Sequence, residues 1–180
     1  MAGKCDTKSL GDHGIYLLTG EIDESECEET IRFILEANLN NGHEYLTMIV
    51  NSPGGYVNAG FSLIDVMNGS KTEIRTVGLG ILASMGLLIF IAGAKGRRCM
   101  TPNTMVMSHQ WSGLRWGKEH ELLASQRGDN ILTGMIFRHY KRHTGLSDKQ
   151  IRKYLLPPSD VWLSAKEAKQ LGLCDKVKEF

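Results

Sequence analysis

The sequence predicts a single α/β domain. Short apolar runs of strand character alternate with amphipathic helical patterns from residue 15 onward, and turns rich in glycine or proline mark most of the changes. Size agrees: 180 residues are enough for one useful core and short for two independent ones. No internal repeat, low-complexity tract or linker divides the chain. Residues 1–14 are expected to form a short N-terminal segment, and 15–180 the domain.

The elements follow in order. Residues 15–18 are a strand candidate. Residues 21–40 read as a helix, with Asp23 as cap candidate, acidic residues in the first turn, and Ile31, Ile34 and Leu35 as apolar positions. An apolar strand over 45–50 breaks at Asn51-Ser-Pro-Gly-Gly55. The helix at 57–67 then offers Ala59, Leu63, Ile64 and Met67 to the core. A strand begins at 73–77, followed by a glycine-rich turn and a buried helix at 85–92. Pieces at 97–100 and 104–108 are strand-like on either side of Pro102-Asn103. Residues 111–118 are the most irregular stretch. A long helix at 117–143 carries the stripes Ile131/Met135 and Leu132/Ile136/Tyr140. Short helices are expected at 147–155, capped by Ser147, and at 164–171, where Ser164 and Glu167 make a capping-box pattern and Gly172 stops the helix.

Composition excludes several classes of function. Hydrophobic residues make up 42% and charged residues 23%, as in a compact soluble protein. Lys plus Arg is 21 against 20 for Asp plus Glu, a net charge of +1, so no global field favours nucleic acid or an anionic membrane. A local basic excess at 138–153 reads as a solvated face. Cys5, Cys27, Cys99 and Cys174 are scattered without a CxxC pair. That pattern speaks against a zinc knuckle or disulfide framework and fits a reducing compartment such as the cytoplasm. Lys4 and Lys8 are not followed by the apolar stretch of a secretory signal. Residues 76–94 lack charge and have the length of a membrane span. Gly78, Gly80, Gly86 and Gly93 divide them, so a buried strand, a turn and a buried helix are expected, and no membrane partner.

Ser84 lies between a glycine-rich strand end and an apolar helix. Taken alone it reads first as a helix cap. The same place would suit a nucleophile, because the helix dipole stabilises negative charge developing there. His109 ends an apolar strand, where side chains of α/β proteins face a cleft, and neutral histidine suits the base that a serine nucleophile needs. Such a base needs an acidic partner. Asp65, Asp129, Asp148, Asp160 and Asp175 are all formal candidates. Asp160 is preferred because Pro157-Pro158 and the Trp162-Leu163 step constrain its backbone. Successive glycines in Asn51-Ser-Pro-Gly-Gly55 free backbone N–H groups to face an oxyanion, though they would serve an ordinary turn equally well. No cofactor or metal motif emerges. His139 and His143 are spaced i,i+4 without the glutamate of HExxH, and Gly93-Ala-Lys95-Gly96 lacks phosphate-loop spacing.

Four ordered stretches carry a family resemblance: IVNSPGGYVNAG at 49–60, GLGILASMGLLIFIAGAKGRR at 78–98, PNTMVMSHQ at 102–110 and LSAKEAKQLGLCDKV at 163–177. The chain resembles the proteolytic subunit of the Clp protease over residues 15–177. That resemblance implies the ClpP/crotonase-like α/β fold, a ββα superhelix with a long handle helix. It implies Ser84 as nucleophile, His109 as base and Asp160 as third member, with the backbone N–H groups of Gly55 and Met85 forming the oxyanion hole. The implied activity is serine endopeptidase hydrolysis of unfolded proteins and peptides through an acyl-enzyme, without cofactor or metal. Heptameric rings joined by the handle into a double ring, and a separate ATP-dependent AAA+ unfoldase, are the implied partners.

Three departures qualify the resemblance. About fourteen residues precede the first core strand, where the family usually has an axial-loop hairpin and a short helix. Trp111 follows His109-Gln110 where proline is usual. Ser159 stands in place of the arginine that commonly precedes the triad aspartate and serves ring–ring contacts. A single ring or a ring mixed with related subunits therefore stays open, as do a catalytically weak or structural ring subunit and a crotonase-like enzyme acting on acyl-thioesters.

Overall fold

The computed structural model describes residues 9–40 and 42–179. The expected N-terminal segment lies largely outside them, as does Cys5. A short 3₁₀ turn, Gly11–His13, leads into β1 (Ile15–Ile22), α1 (Glu24–Asn40), β2 (Tyr45–Gly55), α2 (Val57–Gly69), β3 (Glu73–Ala83) and α3 (Met85–Ile91). Then come β4 (Arg98–Met100), β5 (Met105–Ser108), α4 (Glu119–Thr144), α5 (Asp148–Tyr154), β6 (Val161–Ser164), α6 (Ala165–Gln170) and β7 (Lys176–Val177). The expected α/β alternation is the observed one.

The strands form one seven-stranded sheet in which β1, β2, β3, β4 and β7 lie side by side, each pair parallel. Strand β3 serves two neighbours in succession. Residues 76–78 pair with β4, and residues 81–83 pair with β5. The break between them is a bulge: Val50 faces Gly78 but Ser52 faces Leu82, so β3 advances four residues while β2 advances two. Gly80 accommodates it with φ 59°, and Asn51 Oδ1 accepts the Ile81 N–H at 3.0 Å. Among the described residues only β6 runs against the rest, antiparallel to β5.

Two boundaries differ from expectation for local reasons. Glu21 and Ile22 belong to β1, and α1 starts at Glu24 because Asp23 Oδ1 accepts the Glu26 N–H at 2.8 Å, an N-cap that fixes the first turn. Strand β2 does not break at Asn51. It continues to Gly55, since parallel pairing with β1 sets Gly54 and Gly55 beside Glu21 and Ile22. Strands β6 and β7 were not expected.

The core is continuous from β1 to α6. Every residue of α3 is buried, and Leu87, Ile89, Phe90 and Ile91 are fully so, each contributing about 1.5–3 kcal/mol relative to exposure. Close packing of α2 on α3 depends on Gly60: a Cβ there would lie 2.4 Å from Met85 Cγ. Ala59, Leu63, Ile64 and Met67 are buried as expected, whereas Leu35 is exposed. On α4, Ile136 and Tyr140 reach the core, while Leu122, Leu123 and Ile131 stay exposed. The C-terminal part of α4 therefore anchors the helix, and its N-terminal half projects. Residues 76–94 divide between strand and buried helix, and no helix among the described residues is long and apolar enough to cross a membrane. Cys27, Cys99 and Cys174 are free thiols.

Candidate active site

Ser84 occupies the one-residue junction between β3 and α3. Its φ is 51° and ψ −122°, and it is the only non-glycine residue at positive φ among the described residues. An L-residue held there costs about 1–3 kcal/mol, so the surroundings must enforce it. They do so from two sides. The Ser84 N–H donates to Met107 O at 2.9 Å, tying the turn to β5. Gly54 lies flat against it, and a Cβ at that position would come within 2.7 Å of Ser84 Cβ and 2.9 Å of Ala83 O. Only glycine fits.

Ser84 is the N-cap residue of α3, its carbonyl accepting the Leu88 N–H at 3.2 Å, but its side chain makes no cap hydrogen bond. The hydroxyl is turned instead to His109, with Oγ 2.8 Å from Nε2. Both residues stand just beyond the C-terminal ends of neighbouring parallel strands, since Ala83 of β3 is in register with Met107 of β5. The serine is half-buried and so open to a ligand.

The strand end carrying His109 is tied down on both flanks. Ser108 Oγ donates to Leu155 O at 2.6 Å and pairs with Tyr140 Oη at 2.8 Å. Gln110 Nε2 donates to Leu156 O at 3.1 Å. Burial pushes the Tyr140 phenol up to about 12, with the Ser108 hydrogen bond opposing, so it remains a neutral partner. These bonds also fix residues 155–156, from which the chain runs through Pro157-Pro158 to Asp160.

Ser108 pairs with Val161 across β5 and β6, so His109 directly follows, and Asp160 directly precedes, the paired stretch. The carboxylate is exposed, and no hydrogen bond joins it to His109 in this chain. Three of the other formal candidates are engaged elsewhere: Asp129 with Arg115, Asp148 with Lys141, and Asp175 with Arg98.

Met85 and Gly54, the residue before Gly55, meet at this corner. Met85 opens α3, where the first N–H groups have no intrahelical acceptor. The position of a Gly54 Cβ would be 3.0 Å from Met85 N, so the peptide leading into Gly55 adjoins that free donor. Gly55 itself admits no side chain, because a Cβ would meet Ile22 O at 2.2 Å. Sequence reasoning missed Gly54, whose contact with Ser84 is tighter, and Asn51, whose side chain braces the bulge. The signal for both lies in Asn51-Ser-Pro-Gly-Gly55, whose successive glycines suit backbone donors for an oxyanion and an ordinary turn alike.

His139 and His143 lie away from this corner. Their rings are 4.5 Å apart, and His139 Nε2 donates to Leu88 O at 2.8 Å, so the pair braces α4 on α3. No cluster of three or more potential metal ligands occurs among the described residues.

A serine hydroxyl on a strained strand–helix turn, at the N-terminus of a helix and facing a histidine from the adjacent strand, is the arrangement that defines a candidate serine hydrolase. The family follows from comparison: the Clp protease family model matches residues 4–179, and the chain belongs to that family. It is 33% identical over 175 residues to the ATP-dependent Clp protease proteolytic subunit of Streptococcus equi subsp. equi, covering 92% of this chain and 84% of the relative. It is 32% identical over 163 residues to ATP-dependent Clp protease proteolytic subunit 2 of Thermobifida fusca, covering 91% and 79%. A third relative, the ATP-dependent Clp protease proteolytic subunit of Chlorella vulgaris, is 31% identical over 163 residues, covering 91% and 80%. The mixed sheet with six α-helices among the described residues agrees with that family's fold.

Proposed function

We propose that this chain is a serine endopeptidase that cleaves unfolded proteins and peptides through an acyl-enzyme. The observation that carries the reading is the 2.8 Å contact between Ser84 Oγ and His109 Nε2 on a backbone turn held at positive φ. His109 takes the Ser84 proton as Oγ attacks the scissile carbonyl. Negative charge on the carbonyl oxygen is received by the N–H groups of Met85 and Gly55, helped by the dipole of α3. His109 then returns its proton to the leaving amine, and water repeats the sequence on the acyl-enzyme. Asp160 orients His109 and stabilises the imidazolium.

The relatives' names support the peptidase assignment. Assembly into heptameric rings and delivery of substrates by an ATP-dependent unfoldase are further parts of the proposal. Exposed Leu114, Trp116, Leu123 and Ile131 on α4 and the loop before it are apolar surface that a ring or double ring would cover. A fluorophosphonate probe tests the chemistry: it is expected to label wild-type protein and not Ser84→Ala. Equal labelling of both would refute the nucleophile.

A second reading has one observation in its favour. Asp160 is exposed and not bonded to His109 in the isolated chain, as in a subunit that is catalytically weak until assembly draws the two together. Peptidase activity confined to the largest species on size-exclusion chromatography would identify assembly as the step that completes the site.

A further inference from the structure

The turn Pro53-Gly54-Gly55 could present either glycine N–H to a developing oxyanion, because successive glycines leave both peptides free to rotate. The side chain of Ser52 removes that freedom. Ser52 lies on β2 in register with Leu82 of β3, shortly before the Ser84 turn, and is completely buried. Its Oγ accepts the Gly54 N–H at 3.0 Å, a bond shielded from solvent. Thr76, Thr104 and Ser108, also buried, work the opposite way and donate to the carbonyls of Phe90, Gly78 and Leu155. A serine that takes up a backbone N–H inside a glycine-rich turn decides which N–H the turn still offers. Gly54 is engaged. Gly55 is paired with Ile22, whose carbonyl accepts the following N–H, that of Tyr56, at 2.7 Å. In a parallel pair one residue bonds to the two flanks of the other, so the N–H of Gly55 itself turns away from β1. That is the side on which β3 leads into Ser84.

Packing gives the Ser52 side chain one place. A Cβ on Gly86, in the first turn of α3, would lie 2.8 Å from Ser52 Cβ and 3.1 Å from its Oγ. A Cβ on Gly54 would lie 2.7 Å from Ser84 Cβ and 3.0 Å from Met85 N. The contacts therefore run from Gly86 to Ser52, through the Ser52 hydrogen bond to Gly54, and from Gly54 to Ser84 and Met85. The Ser52 bond fixes the peptide entering Gly54, and pairing with β1 fixes the peptides around Gly55. The Gly54 φ of 96° between them is thus set from both ends. Donors to an oxyanion act through a direction fixed before charge develops. Loss of the hydroxyl leaves a buried N–H without its acceptor and releases the first of these peptides.

We propose that Ser52 is a positioning residue for peptide-bond hydrolysis: by holding the Gly54 N–H it aims the Gly55 N–H at the oxyanion and keeps Gly54 pressed on Ser84. The inference rests on the serine endopeptidase reading above. The test compares full-length wild type, Ser52→Ala and Ser52→Cys, each at the oligomeric size of the wild type, with a fluorogenic peptidyl aminomethylcoumarin and a fluorophosphonate. Ser52→Ala is expected to lower kcat about ten- to a hundredfold with KM within about twofold, and to slow phosphonylation of Ser84 by a similar factor. Ser52→Cys keeps a weaker acceptor on the same Cβ and is expected to fall between Ser52→Ala and wild type. The pH midpoint of kcat/KM is expected not to move, since His109 keeps its contact with Ser84. A folded Ser52→Ala with wild-type kcat, or with its whole loss in KM, would overturn the proposal. A shifted pH midpoint would place the effect on His109 and equally overturn it. If neither variant folds, hydrogen exchange of the wild type decides. The Gly54 amide is expected to be protected throughout, and the Gly55 amide to gain at least about tenfold protection on phosphonylation. A Gly55 amide unaffected by the adduct would overturn the proposal. Absence of an adduct at Ser84 in the wild type would refute the endopeptidase reading itself, so the two failures are distinguishable.

Discussion

At the scale of single residues, Ser84 holds a φ of 51° that only its neighbours can maintain, and the tightest neighbour is Gly54. Gly54→Ala would add a Cβ 2.7 Å from Ser84 Cβ to a residue itself at φ 96°. The expected result is near-complete loss of phosphonate labelling with about 1–3 kcal/mol of destabilisation, read by labelling kinetics and urea melts. Labelling at the wild-type rate would show that the turn tolerates a shift and that its strain is not needed. Asp160→Asn probes a different link. If Asp160 orients His109 only in the assembled protein, the substitution lowers turnover there by several orders of magnitude and leaves the melting of the isolated chain unchanged. A large stability loss without a turnover effect would place Asp160 in structure instead of in chemistry.

Two contacts between elements decide how firmly the site is held. Arg98, which is 4% exposed, binds Asp175 at 2.7 Å and the His143 carbonyl at 2.9 Å, joining β4 to the end of α4 and to the segment before β7. Burial raises the Asp175 carboxyl, but the Arg98 hydrogen bonds and charge outweigh it and hold it below the ordinary value. Its stabilisation is therefore present above the unfolded carboxylate pKa and lost as pH falls through the folded one. Asp175→Asn is expected to cost about 3 kcal/mol in urea melts at neutral pH by leaving Arg98 uncompensated. A loss within error of zero would remove the pair from the framework. Behind α3, burial pushes His139 down to about 3, reinforced by His143 and opposed by the Leu88 carbonyl, and burial takes His143 to about 4. The unfolded imidazoles titrate near their ordinary value, so stability falls as pH drops below about 6.5. By pH 5 the His139 contribution alone amounts to about 2 kcal/mol. His139→Gln is expected to flatten the slope of stability between pH 7 and 5, and an unchanged slope would contradict the assignment. Elements with local signals were legible in the sequence: the Asp23 cap, the Ser164–Glu167 box and the apolar face of α2. Strand β6 was not, because four residues after Pro157-Pro158-Ser159 acquire strand geometry only by pairing with β5. The extension of β2 through Gly54 and Gly55 was hidden likewise, since glycines that suit a turn also suit close strand contact.

For the whole molecule, apolar periodicity located α4 but could not say what its stripe faces. Ile136 and Tyr140 meet this chain's core, while Leu123 and Ile131 are 61% and 56% exposed. Leu123→Glu is expected to shift sedimentation to smaller species without lowering the melting temperature of the monomer. An unchanged assembly would take the projecting half of α4 out of the contact. The pairing of Ser84 with His109 was legible only as residue types and order. The 2.8 Å contact needed β3 to abandon β4 for β5 at the Gly80 bulge, a tertiary event with no sequence period. The most direct test of the central claim is intact-mass detection of a phosphonate adduct on separated oligomeric species, with the modified residue mapped by peptide sequencing. One adduct per chain at Ser84, absent in Ser84→Ala and accompanied by loss of peptide cleavage, is the expected result. An adduct on another residue, or cleavage that survives Ser84→Ala, would contradict it.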